Sequence, residues 1–313
     1  MSEGEPGIVV NVPPIGDVSS MTYIAPFPYQ KNSDTYYYNK LVNCLRQKGF
    51  REGIDLYGAS RDWRKSPNEL SQHFVELKTL VKSIFDKNNK KVILVGHSMG
   101  GIIGYIFLIQ QTSEWKNKYI RSLVTIGSPL GGGFQAMYGF LFDDDDPLVK
   151  KYKIVRQAER TWTGFTNLMP TKNTWNTTVF IETPNKHYTI DEFCDFFEKI
   201  EYSIGCRMYL DSQVSEIATL PHPGTSVYCM GGLGKPTPLK LIYNDDDFRT
   251  TPTKVYGDGD ILVNKESFEK CLIWKDKCFE FNYKAFDNTD HSGLIVNDMP
   301  MNFICNAVAS MSK

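Results

Sequence analysis

Two apolar runs lie almost back to back. Val92 to Val95 is a short β-branched run with no polar position, as in a strand buried on both faces, and Ile102 to Ile109 has the composition of a buried helix. Between them stand Gly96, His97, Ser98, Met99 and Gly100, so the pattern predicts a strand, a tight turn and a helix. Ser122 to Ile126 reads as another buried strand, ended by Gly127, Ser128 and Pro129, and Val227 to Met230 as a third. Phe279 to Phe286 alternates like a half-buried strand near a sheet edge, and residues 8–12 (IVVNV) read as a strand ended by Pro13, Pro14 and Gly16. Ser-Pro-Asn-Glu at 66–69 combines a capping box with proline at the first helical position, which predicts a helix start. Leu70, Phe74, Leu77, Val81 and Ile84 then recur at helical spacing, leaving His73 and the lysines on the solvent side.

Strands and helices alternating at this spacing imply an α/β fold with a doubly wound, mostly parallel sheet. Roughly a hundred residues separate the second and third core strands, too many for a loop, so that segment must build its own structure, most simply an inserted helical cap. The expected organisation is a first core part at 1–130, a cap at 131–222 and a second core part at 223–313. The cap is rich in aromatics, among them Trp162, Phe165, Trp175, Phe180, Phe193, Phe196 and Phe197. These either line an acyl-chain tunnel or form the cap's own core.

Net charge −1 over 313 residues leaves no electrostatic footprint for nucleic acid. The seven cysteines are too few for a disulfide scaffold, and an odd number leaves at least one thiol free. Their spacing fits no zinc site, and the acidic runs 143–146 and 245–247 lack the spacing of a calcium loop. No metal or cofactor is expected. Residues 92–109 are interrupted by too many glycines and polar groups to span a bilayer, which takes roughly 20 apolar residues. Residues 1–20 hold neither a basic nor an apolar signal region.

The turn itself has the form Gly-x-Ser-x-Gly. A serine on a strained strand-to-helix turn is presented as a nucleophile, and small residues are needed two positions either side, where a side chain would collide. The backbone N–H of Met99, at the helix start, is the candidate oxyanion donor. A serine hydroxyl needs a base, and in such a sheet the acid and then the histidine follow it along the chain. His73 precedes Ser98, His97 adjoins it and points away, and His187 and His222 fall in the cap; His291, in Asp-Asn-Thr-Asp-His-Ser-Gly after the last strand, is the candidate base. For the acid, Tyr-Gly-Asp-Gly-Asp leaves Asp258 and Asp260 both open.

SRDWRKSPNE, VGHSMGG, TIGSPLGG, VYCMGGLGKPTP, GDGDILVNKESFEKC and DHSGLIVND, in that order, resemble the blocks of the lecithin:cholesterol acyltransferase family, which includes lysosomal phospholipase A and phospholipid:diacylglycerol acyltransferase. The resemblance implies an α/β-hydrolase fold and a Ser98-Asp260-His291 triad, since aligning Val263, Ser267 and Cys271 puts Asp260 on the family's acid. Ile261 and Leu262 replace the small or polar pair usual in that turn. It implies a lipid O-acyltransferase or phospholipase A acting on glycerophospholipid esters, with water or an alcohol as acceptor, peripheral at a membrane or lipid surface, and secreted or lysosomal/vacuolar. It also implies a Cys229–Cys271 disulfide, places Asp62, Trp63 and Arg64 beside the site, and leaves Trp162 and Phe165 as candidate pocket residues. Asn176, in Asn-Thr-Thr, is a candidate N-glycosylation acceptor. Family members carry an upstream strand whose turn supplies a second oxyanion donor. VVNVPPIG registers on the segment after it, so the first strand and its leader are expected to be missing from this chain, leaving an exposed sheet edge and weak activity. The alternatives are a weak or inactive lipid-binding paralogue and a serine esterase of another substrate.

Overall fold

The structure is a computed structural model and describes residues 12–22, 37–138, 140–141, 159–212 and 219–312. Ile8 to Asn11 of the first expected strand and the acidic run 143–146 lie outside the described residues. The strands, in chain order, are β1 (Val92–His97), β2 (Ile120–Ile126), β3 (Ile181–Glu182), β4 (His187–Tyr188), β5 (Ser226–Leu233), β6 (Lys235–Ile242), β7 (Thr253–Gly259) and β8 (Phe281–Asp287). Among them β1-β2-β5-β8 form one sheet, parallel throughout, and β4-β3-β6-β7 a second.

Alternation along the central strands feeds two apolar layers. Leu123, Val227 and Cys229 join the core beneath α2 (Ser71–Asn88) and α3 (Met99–Ile109). Val124, Ile126, Tyr228 and Met230 point the other way, into a layer with α1 (Asn39–Gln47) and the C-terminal helix Asp298–Met311. α3 is apolar on every side because it lies inside the molecule, with Tyr105, Phe107 and Leu108 fully buried. Cys44–Cys305 ties α1 to the C-terminal helix, Cys229–Cys271 ties β5 to the segment after β7, and Cys194–Cys206 closes a short loop in the excursion; Cys278 is free.

Several expectations change. Besides its helices the excursion carries β3 and β4, and β3 pairs onto β6 of the second sheet. Its aromatics Phe180, Phe193, Phe196 and Phe197 are fully buried in a core of their own, not in a tunnel. At 66–69 the Ser66 hydroxyl turns to Asn68, Pro67–Glu69 forms a 3-10 turn, and the α-helix begins only at Ser71. His73 is half-buried rather than solvent-facing; burial, helped by the Arg61 charge, depresses its pKa. Phe74, Leu77 and Val81 form the buried stripe, with Ile84 only partly covered.

β1 stands at the end of its sheet among the described residues, and Val92 to Val95 are only half-buried, unlike their equivalents in β2. A cavity of about 730 Å³ runs beside them, lined by Val92–Gly96 on one side and Asp55–Ala59 on another. Gly96 and Gly100 line it as well, and Ser98, Asp260 and His291 do not. Among the described residues no helix is long and apolar enough to cross a membrane.

Replacing Cys229 and Cys271 by alanine should lower unfolding free energy by about 3–4 kcal/mol, the chain-entropy value for a loop of 42 residues. Urea titration measures this. Peptide mapping without reduction should return the three pairs, with Cys278 as the free thiol.

Candidate active site

Ser98 leaves β1 with φ +53° and ψ −129°, a backbone conformation that non-glycine residues adopt only under constraint. The constraint is steric. A Cβ on Gly96 would lie 2.4 Å from the Gly100 carbonyl carbon, and one on Gly101 would lie 2.0 Å from Ser128 Oγ. Gly100, by contrast, has open space around its Cβ position. Gly96 is therefore the glycine that lets α3 close onto β1, Gly101 makes room for Ser128 beyond β2, and the second small position of the motif reading, Gly100, meets no such contact.

The Ser98 N–H donates to the Ile126 carbonyl (2.8 Å), placing Ser98 next to Gly127 at the end of β2. Gly127 has φ +54°, and a Cβ there would lie 3.3 Å from Asp260 Oδ2 and from His291 Cε1. The three residues singled out in the sequence thus converge on one glycine. His291 Nδ1 is 2.7 Å from Asp260 Oδ2, and the two residues are 7% and 1% exposed. The other carboxylate oxygen accepts the N–H groups of Val263 (2.7 Å) and Leu262 (3.1 Å), and the Asp260 carbonyl accepts the His291 N–H (2.8 Å). Such bonds compensate a buried carboxylate for the water it has lost. They also leave Nε2 as the open nitrogen of His291.

Asp258 lies elsewhere: it is exposed, and its carboxylate accepts the Gly234 N–H (2.7 Å). Directly after Asp260 the turn is strained at Ile261, which has φ +83° and is held by its N–H donating to Thr237 Oγ1 (2.9 Å). Ile261 and Leu262 are 45% and 39% exposed, an apolar rim beside the buried acid. Met99 is the first residue of α3, where helical N–H groups lack helical acceptors.

Asp62 and Arg64 form a two-point ion pair (2.9 and 2.7 Å) that holds Asp62 below the usual carboxylate range. Trp63 beside them is 51% exposed and stands edge-on to Trp162 (4.8 Å), which stacks on Phe165 (5.8 Å). Trp63, Trp162 and Phe165 thus form an aromatic patch, open to solvent at Trp63 and partly covered at the other two. Asn176 is exposed, as an acceptor asparagine must be. His222 Nε2 faces Cys278 Sγ (2.9 Å), and His187 is exposed. Sequence reasoning missed Gly127 and Gly101, because a glycine's neighbours across a fold leave no local signal, and it set aside His97. That residue is 4% exposed and its ring lies 4.5 Å from that of His291. Among the described residues no cluster of His, Cys, Asp and Glu could hold a metal.

A parallel sheet that delivers a strained serine at a strand-to-helix turn, with a buried acid-histidine pair beyond later strands, defines an α/β-hydrolase. A chain of the crystal structure of the Tle4-Tli4 complex has this fold, superposing with a TM-score of 0.57 at 13% identity over 90% of this chain and 72% of that one. The family model for lecithin:cholesterol acyltransferase matches residues 2–215. The lysosomal phospholipase A and acyltransferase of Bos taurus is 32% identical over 95% of this chain and 73% of its own length. The phosphatidylcholine-sterol acyltransferase of Mus musculus is 30% identical over 96% and 68%. The chain belongs to the lecithin:cholesterol acyltransferase family.

Gly96→Ala should abolish the elbow, whereas Gly100→Ala should leave thermal stability nearly unchanged; paired melts test both. Asp260→Asn should cut esterase activity by about 10³-fold or more and Asp258→Asn by far less. The reverse order would mean that the buried pair is not the working one.

Proposed function

We propose that the chain is a serine acyltransferase or phospholipase that cleaves glycerophospholipid esters through an acyl-enzyme. The observation that carries this reading is the Asp260–His291 pair meeting, at Gly127, the strained backbone of Ser98. His291 Nδ1–H donates to Asp260, so Nε2 is the basic nitrogen that takes the Ser98 proton as Oγ attacks the ester carbonyl. The Met99 N–H faces the oxyanion. His291 then returns the proton to the departing lyso-lipid oxygen, leaving the fatty acyl group on Ser98. A water or alcohol, deprotonated by His291, attacks this ester and frees Ser98.

Membership of a family whose relatives are named as phospholipase and acyltransferases supports a lipid ester as the substrate class. The exposed Trp63, backed by the partly buried Trp162 and Phe165, supports contact with a lipid surface, because amphipathic indole rings favour the interface between water and acyl chains. Its occupant is the membrane surface that presents the substrate.

Ser98→Ala and His291→Ala should each reduce phospholipid hydrolysis and acyl transfer by about 10³-fold or more, since triad members act as a unit. A fluorophosphonate probe should label the unmodified protein at Ser98. A protein that folds but takes no label would be a binding paralogue, and one that turns over only a nitrophenyl ester would be an esterase of another substrate. Trp63→Ala should lower turnover of phospholipid vesicles about tenfold, the worth of one large apolar side chain, with little change on a soluble short-chain ester. Products formed from vesicles with and without an added alcohol distinguish transferase from phospholipase.

A further inference from the structure

We propose that His97 is a positioning residue for His291, fixed in its working tautomer by Tyr37. This inference deepens the proposed reaction and rests on it. His97 Nε2 lies 3.1 Å from the His291 carbonyl oxygen. A carbonyl only accepts, so the proton sits on Nε2 and Nδ1 carries the lone pair. The Tyr37 hydroxyl, 2.9 Å from Nδ1, must then donate to it. A third bond holds the backbone, where the His97 N–H donates to the Tyr38 hydroxyl (2.5 Å).

The arrangement clamps His291 from both sides. Its N–H is held by the carbonyl of the acid, Asp260 (2.8 Å), and its carbonyl by the residue directly before the nucleophile. The base and Ser98 are thereby referenced to each other through a single peptide step. Thr289 is tied to Leu233 (3.3 Å), and without His97 the His291 peptide would be held on its N–H side alone, free to pivot about Asp260. A displacement of about 1 Å in a reacting group costs about 10²-fold in rate.

The chemistry also requires that His97 stay neutral while His291 cycles through its cation. Burial pushes the His97 pKa well down, and the His291 charge beside it adds to this, with the rings 4.5 Å apart. Tyr37 stays protonated, its pKa pushed up to about 12 by burial despite the opposing Arg61 charge. The groups facing His97 are therefore two neutral phenols, with Arg61 behind them, and the triad histidine itself. A merely buried histidine needs its nitrogens satisfied, but any carbonyl would do; here the acceptor belongs to the base.

The test uses three variants of the full chain, assayed on a soluble short-chain ester and with a fluorophosphonate. His97→Phe keeps a buried ring but has no donor, His97→Gln retains an amide N–H, and Tyr37→Phe removes the hydroxyl that fixes the tautomer. We expect His97→Phe to lower kcat about 10- to 100-fold with KM nearly unchanged, and to shift the acid limb of the pH profile that reports His291. His97→Gln should recover much of the loss, and Tyr37→Phe should fall between. Equal kcat in all variants overturns the proposal, as does a loss that follows Tm alone without rescue by His97→Gln. If His97→Phe does not fold, kcat of Tyr37→Phe equal to that of the unmodified protein overturns it. An unmodified protein that neither takes the probe nor cleaves the ester instead overturns the proposed function, and this inference with it.

Discussion

The rest of the site depends on the close approach of β1 to the start of α3. Nothing larger than hydrogen fits on Gly96, and that absence lets the helix begin one residue after the serine, forcing Ser98 to φ +53°. Such strain persists only where surrounding structure over-determines it. Here a fully apolar helix packed on the sheet supplies the determination, with Ile102 and Ile106 buried on successive turns. The two features are one design: burial drives α3 down, and glycine lets it arrive.

Charge sets the second constraint. Asp260 is almost fully buried, and an unpaired carboxylate there would be very costly. The turn Ile261 to Val263 folds back to offer two N–H groups, at the expense of a left-handed β-branched residue. That strain buries the acid and at the same time exposes Ile261 and Leu262 at the rim of the proposed site. A turn with a small residue in place of Ile261 would be more relaxed, and it would present less apolar surface to a lipid.

The two sheets divide the work. The parallel sheet, with apolar layers on both faces, holds Ser98 just beyond β1 and His291 in the loop after β8. The second sheet packs its own aromatic core, and β7 leaves it to place the acid within reach of the first. The acid turn is the joint between them, reinforced by Cys229–Cys271 a few residues on.

Much of this was legible along the chain. Period and composition marked β2, β5 and α3, because a strand or helix buried on all sides has few polar positions to blur it, and β1 by its apolar run, although that strand is only half-buried. The elbow and the loop of His291 were legible because their spacing is short. Resemblance, not spacing, chose Asp260 over Asp258, and burial now separates them physically. The second sheet was hidden: β3 and β4 have two residues each, and Pro236 and Pro238 disguise β6. The capping signal at Ser66 was outweighed by contacts from Asn68 and Thr163, which no local pattern contains. The roles of Gly101, Gly127 and His97 belong to tertiary structure alone, because each depends on an atom brought close by folding from elsewhere in the chain. A sequence by itself determines which segments must be buried and which turns are sharp; which buried groups then meet is decided by how the layers pack.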